Sequence, residues 1–105
     1  MLRIYPVILQ LVGDLRPVLE RVEKRDANLG RQARAALTSV PLNTQEASGS
    51  TKGTRRARYE SAYGSAREVS AIVEVAVALG YVEAVEPAVA GRLCHVICTL
   101  RKLAS

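Results

Sequence analysis

Two groups of residues in this 105-residue chain have types and spacings that could do chemistry. The first is Cys94, His95 and Cys98. Two thiols four residues apart share one face of a helix, and thiolates are good ligands for soft and borderline metal ions. A closed structural zinc site needs four ligands, however, and His95 points roughly 100° away from Cys94 around a helix. The chain holds one His and two Cys, so it has no second ligand pair. Two readings remain: a site shared across an oligomer axis, or two small thiols packed in an interior, as free Cys commonly is. The second is the expectation, and no metal or cofactor is assigned. His95 has no Asp or Ser at a spacing that would complete an acid–base or nucleophile arrangement, and no Ser/Thr–Lys signature is present. No catalytic residue is assigned, and the chain is not expected to be an enzyme.

The second group lies in Pro41–Arg58, PLNTQEASGSTKGTRRAR. Lys52, Arg55, Arg56 and Arg58 form a basic run with no acid between Glu46 and Glu60. The run falls at the expected start of a helix, where the macrodipole is positive and each cation costs about 0.3–1 kcal/mol. An anion there would meet both the side chains and the free helix N–H groups, and nucleic-acid phosphate is the natural candidate. The competing reading is a solvated loop that does nothing beyond keeping the chain soluble. Tyr59 and Tyr63 sit beside the run on one face. They could stack bases, but core or interface packing is the expectation for a chain without Trp or Phe.

Asn43 and Glu46 precede the basic run. If the second helix continues past Pro41, its apolar stripe meets Asn43, and Glu46 follows about one turn on. A buried Asn without partners costs roughly 1–3 kcal/mol. Either Asn43 and Glu46 bond one another or groups of the third helix and fix the register of the packing, or the helix has frayed and both are wet. The first is expected.

These residues must be positioned by helices. Helix one is predicted from about Pro6 to Lys24, with Val7, Ile8, Leu11, Val12, Leu15, Val18, Leu19 and Val22 on one stripe. Pro6 suits a first turn, whereas Pro17 deprives the Gly13 carbonyl of its donor and should bend the helix. Asp26 is the expected N-cap of helix two, whose stripe is Leu29, Ala33, Ala36, Leu37 and Val40. Pro41 should kink or loosen it, and Ala47–Gly53 reads as a loop, with Thr51 or Thr54 capping helix three. Helix three is predicted from about Arg55 to Leu79, with Tyr59, Ala62, Tyr63, Ala66, Val69, Val73 and Ala76 inward. Gly64 and Ser65 offer room for a close neighbour, and Gly80 is the expected C-cap. The last turns, Val75–Leu79, are apolar nearly all round, as in a helix end covered on more than one side. Helix four begins after Glu83 or at Pro87 and ends near Leu103, with Val85, Val89, Leu93, Val96, Leu100 and Leu103 on a seam that Cys94, Ile97 and Cys98 widen. Arg101 and Lys102 suit its last turn.

A chain of this length forms one domain, residues 1–105, and buries roughly 65% of its unfolded surface. Its core must come from Val, Leu, Ile and Ala. The fold expected is all-α: an up-down-up-down antiparallel four-helix bundle. The net charge is +5 and the pI about 9.7, with every cation except Lys24, Lys52 and Lys102 an Arg, a balance that favours anionic partners. Met1–Val12 is apolar but lacks the marks of a secretion signal, no run is long enough for a membrane span, and a reduced cytoplasmic location is the default.

The chain resembles the four-helix-bundle family named after the 23S ribosomal RNA intervening sequence, the S23-type family. It is similar to the accessory variability determinant proteins of diversity-generating retroelements. The likeness runs through Ser39–Gly49, which matches the family's Asn-x-x-Glu-Gly segment at Asn43 and Glu46. It continues through Tyr59 and Tyr63–Glu68, and closes on Ala78–Val82. Ala47 stands where the family usually has Gly, so the loop is expected to open at Gly49. The resemblance implies a closed bundle that assembles into a ring, commonly a homopentamer. In the retroelement relatives it also implies a basic ring that binds nucleic acid and partners a reverse transcriptase. It supplies no catalytic residues. By position it transfers a structural motif of Asn43, Glu46, Gly64, Ser65 and Glu68, and places Lys52, Arg55, Arg56 and Arg58 where relatives are also basic.

The leading expectation is therefore a non-enzymatic homo-oligomer that binds RNA or DNA non-specifically. The alternative is a structural or adaptor protein that uses the apolar end of helix three to hold a protein partner and no nucleic acid. An RNA-processing enzyme built on His95 is the weakest reading.

Overall fold

In a computed structural model describing residues 2–105, the chain is all-helical. Four helices run α1 (Ile4–Arg25), α2 (Ala27–Ser48), α3 (Lys52–Ala78) and α4 (Pro87–Ala104), with no strand among the described residues. The molecule measures 42 × 26 × 19 Å, its long axis set by α3, whose 27 residues span about 40 Å at 1.5 Å per residue. Neighbours in space are α1 with α2, α2 with α3, α3 with α4, and α4 with α1. No helix among the described residues is long and apolar enough to cross a membrane.

Each helix buries most of the stripe that its periodicity marks, while Leu29, Tyr63, Val89 and Leu103 are half-buried at its margins and Val85 precedes α4. In α1 that stripe is Ile4, Ile8, Leu11, Leu15, Val18, Leu19 and Val22, and α3 contributes Tyr59, Ala62, Ala66, Val69, Ile72, Val73 and Ala76. Leu93, Val96, Leu100 and Ala104 face inward from α4. Ala is frequent on α2 and α3, which lets their backbones lie close. One approach is closer still. Gly30 in the first turns of α2 is buried against Glu23 of α1, and a Cβ there would fall 2.5 Å from the Glu23 Cβ and 2.6 Å from its Cα. Gly64, the residue expected to admit a neighbouring helix, is exposed and has open space where a Cβ would lie.

Helix ends follow local chemistry. Asp26 Oδ1 accepts from the Leu29 N–H (3.0 Å) and caps α2. Gly80 adopts φ +77°; Gly80 N donates to the Val77 carbonyl (3.0 Å) and Tyr81 N to the Ala76 carbonyl (2.9 Å), the paired bonds that close a helix at a left-handed glycine. Pro87 opens α4. Pro17 and Pro41 both lie inside continuous helices. The segment expected to be a loop from Ala47 is largely helical: Ala47 is fully buried, α2 continues to Ser48, and the connection is only Gly49–Thr51. The turn opens at Gly49, and α3 starts at Lys52 rather than Arg55.

Candidate nucleic-acid interface

The Pro41–Arg58 stretch resolves into a polar lock between α2 and α3 and a basic end. The lock begins from a shift in which residue meets the core. At about 100° per residue, the stripe through Ala33, Ala36, Leu37, Val40 and Ala47 is centred closer to Thr44 than to Asn43. Thr44 is accordingly the buried polar residue, its hydroxyl returned to the Val40 carbonyl of its own helix (2.7 Å), while Asn43 is half-buried at the margin. Asn43 Nδ2 donates to the Ser39 carbonyl (3.0 Å) and hydroxyl (2.8 Å), and Ser39 Oγ in turn accepts from Ser65 Oγ of α3 (2.9 Å). On the other side Arg58 Nη1 donates to Asn43 Oδ1 (3.3 Å), and Arg58 Nη2 lies 3.0 Å from Glu46 Oε2. Asn43 and Glu46 thus do not meet one another; both meet the same guanidinium on α3. Ser65 joins this lock, whereas Gly64 and Glu68 are exposed outside it, and Glu68 has no side-chain bond among the described residues.

Lys52, Arg55, Arg56 and Arg58 are all exposed, but they are not equivalent. Arg58 is held by Glu46 and Asn43. Arg55 Nη2 donates to the Ser50 carbonyl (3.1 Å), folding back over the turn. Arg56 Nε donates to the Ala104 carbonyl at the end of α4 (3.2 Å) and lies 3.6 Å from Glu60 Oε1. Lys52 has no side-chain partner among the described residues. The bond from Arg56 brings the C-terminus of α4 to the N-terminus of α3. Arg101 and Lys102, both exposed in the last turn of α4, therefore join the same end of the molecule. Leu2 lines a small hollow of about 320 Å³ with Ser48, Arg55 and Tyr59, so Arg3 lies there as well. Six exposed cations besides Arg58 thus come to this end from three chain segments, and Glu60 is the acid paired with one of them, Arg56. The sequence reading gives Arg101 and Lys102 only a part in the dipole of their own helix and gives Arg3 none; the contact between the end of α4 and the start of α3, which no local motif encodes, is what adds them.

The same end carries main-chain donors. Thr51 occupies the cap position of α3, but its hydroxyl bonds Thr54 Oγ1 (3.2 Å) and no backbone N–H, and no acid lies in the first turn. The first main-chain bond is from Arg55 N to the Thr51 carbonyl (2.7 Å), which leaves earlier N–H groups facing outward beside the cations.

Tyr59 is not a surface for bases: it is 3% exposed. Burial pushes its hydroxyl above the ordinary value of 10.0, and the charge of Arg55 draws it partly back. Tyr63 is half-buried with the Arg67 guanidinium 5.8 Å from its ring centre. Cys94 and Cys98, expected inside, are both exposed on α4. His95 is exposed too, and no cluster of three or more His, Cys, Asp or Glu side chains suited to a metal ion occurs among the described residues. The chain matches no family model, no curated protein and no solved structure.

Proposed function

We propose that this chain is a non-enzymatic, homo-oligomeric up-and-down helical bundle that binds nucleic acid through its basic end. The observation that carries the reading is the convergence of Arg3, Lys52, Arg55, Arg56, Arg101 and Lys102 around the uncapped N-terminus of α3. Cations placed against a helix N-terminus repel its dipole. A bound phosphate reverses that sign, because it is attracted by the side chains and by the main-chain donors together. Among the described residues no Tyr is fully exposed as a stacking platform, so contacts are to backbone phosphates and base preference is low. Assembly is supported by apolar side chains that one chain leaves exposed, Leu9, Leu42, Val75 and Leu79. The S23-type resemblance points the same way, to a ring, pentameric by that analogy, and to an accessory role beside a nucleic-acid enzyme such as a reverse transcriptase.

The test is fluorescence anisotropy with RNA and DNA oligonucleotides across a salt series. Six neutralised phosphates on a duplex give a slope of log affinity against log salt near −5, and a loss of about 10³ in affinity between 50 and 200 mM salt. Replacing Lys52, Arg55, Arg101 and Lys102 with Ala should flatten the slope by roughly four contacts. No binding at low salt, or binding that ignores this replacement, refutes the reading. A second reading rests on Val75 and Leu79, which are 47% and 55% exposed near the end of α3. An adaptor holding a protein partner there would lose that partner on Val75→Asp and Leu79→Asp while its behaviour toward oligonucleotides stayed the same.

A further inference from the structure

Among the polar groups unused by the basic end and the α2–α3 lock, the two thiols of α4 stand apart. Cys is among the residue types most often fully buried, yet Cys94 and Cys98 are both exposed. Core packing therefore does not account for them. Their spacing puts them on one face, one turn apart, with Cβ atoms about 5–6 Å from each other, near enough for both sulfurs to turn toward one ion.

We infer that Cys94 and Cys98 are half of a zinc site that a second copy of this chain completes, with two copies packed α4 against α4 and four thiolates around one ion. A single chain stops at two ligands, because no third His, Cys, Asp or Glu clusters with them among the described residues. A twofold axis repeats whatever it is given, so two thiolates become the four of a closed tetrahedral site.

The surroundings admit the second copy. A solvent-facing helix normally shows charged and polar residues outward. From Pro87 to Cys98 the exposed residues of α4 are Pro87, Ala88, Ala90, Gly91, Cys94, His95 and Cys98, with no charge among them and nothing bulkier than His95. Arg92, the one charged residue in that stretch, turns inward to pair with Asp14 of α1. Gly91 has open space where a Cβ would lie, so a partner helix meets backbone there. Beside this face a mainly apolar groove of about 270 Å³ runs between α3 and α4, past Val73, Leu93 and Ile97, with Ser70 and the exposed Glu74 of α3 also in its lining. Charge is complementary as well. Four thiolates around Zn²⁺ carry two net negative charges, and Arg101 and Lys102 of each copy lie one turn beyond Cys98. Binding exchanges protons for metal: each thiol releases one, four per ion, so affinity falls as pH is lowered.

The experiment uses the full chain, reduced and metal-free, with Zn²⁺ and Co²⁺ as separate probes. Light scattering during gel filtration should show the mass of the metal-free species doubling at one ion per two chains. Cobalt should give the visible bands and thiolate charge-transfer absorption of a tetrahedral all-sulfur site. Cys94→Ser and Cys98→Ser should each abolish both signals and leave the metal-free circular dichroism and Tm unchanged. Gly91→Arg, which keeps both thiols but puts bulk and charge on the contact face, should block the doubling. The inference is overturned by one ion bound per chain without a change in mass, by the absence of saturable binding, or by doubling that survives either Ser variant or Gly91→Arg. None of these readouts involves an oligonucleotide, so the outcome is independent of nucleic-acid binding.

Discussion

Replacing Gly30 with Ala tests how tightly α1 and α2 are joined. In most helices that change stabilises, because Ala is favoured over Gly by about 0.8–1.0 kcal/mol. At Gly30 the new Cβ would lie 2.5 Å from the Glu23 Cβ, 2.6 Å from the Glu23 Cα and 2.9 Å from its Cγ. Carbon atoms in contact prefer about 3.5–4.0 Å, so the two helices must part by roughly 1 Å. One of the clashing atoms is backbone, so rotating the Glu23 side chain does not relieve it. Parting the helices loosens Val22 and Ala33, each 1% exposed, and strains the ion pair from Arg34 to Glu23 that bridges the same helices. Overpacking of this kind costs about 1–3 kcal/mol, which outweighs or cancels the propensity gain and leaves a net loss of up to roughly 2 kcal/mol. Gly64→Ala is the control, since nothing lies within 4 Å of its Cβ position and it is helical and exposed. It should stabilise by close to the full propensity difference of about 0.8–1.0 kcal/mol. Because propensity is common to both variants, their difference, about 1–3 kcal/mol, isolates the clash. Urea unfolding with an unchanged m-value reads it as midpoints moving apart, and thermal unfolding as a separation of at least about 4 °C. If the two variants shift together, Gly30 does not hold the helices close and the reasoning fails.

Three further outcomes follow from the polar groups of α2 and α3. Tyr59 has a folded-state pKa above its unfolded one, so the folded chain keeps a proton that the unfolded chain gives up. Its contribution is fully present below pH 10 and is lost as pH rises through the folded value. Urea midpoints should therefore fall above about pH 10, and Tyr59→Phe should flatten that fall, with an unaltered alkaline profile counting against the burial argument. Arg58→Ala should act on stability more than on oligonucleotide affinity, costing about 0.2–1 kcal/mol through the exposed bonds to Asn43 and Glu46, whereas Lys52→Ala should do the reverse. A double-mutant cycle between Asn43→Ala and Arg58→Ala should show coupling, and its absence would mean that the half-exposed contact contributes nothing.

Apolar periodicity made the helices legible because burial of a stripe is decided locally. Ile8, Leu11 and Leu15 repeat at a helical period whatever they pack against, and Asp26, Gly80 and Pro87 announce ends through their own backbone chemistry. What stayed illegible depended on a second element. Gly30 and Gly64 look alike in a helical pattern, and only the position of Glu23 distinguishes them. Asn43 and Thr44 differ by one residue of rotation near the edge of a stripe, and the helix continues through Pro41 far enough for that rotation to decide which is buried. Cys94 and Cys98 sit on the flank of the α4 seam, and whether a flank is covered depends on where α1 and α3 stop.

The basic run shows the same limit on the side of function. Lys52, Arg55, Arg56 and Arg58 are one feature in sequence and four different groups in space. Arg58 is tied to Glu46, Arg56 reaches the Ala104 carbonyl, Arg55 folds over Ser50, and Lys52 projects without a partner among the described residues. A guanidinium already paired in its own chain must give up that bond, or share it, before it can neutralise a phosphate, so its net contribution to binding is smaller than its charge suggests. Arg101 and Lys102 lie far along the chain, yet they arrive at the same end with exposed side chains and no acid in their own turn. The surface that an anion would meet is thus weighted toward residues that no local motif contains. If this end binds an anion, residue proximity along the chain overstates the part of Arg58 and understates that of the α4 terminus.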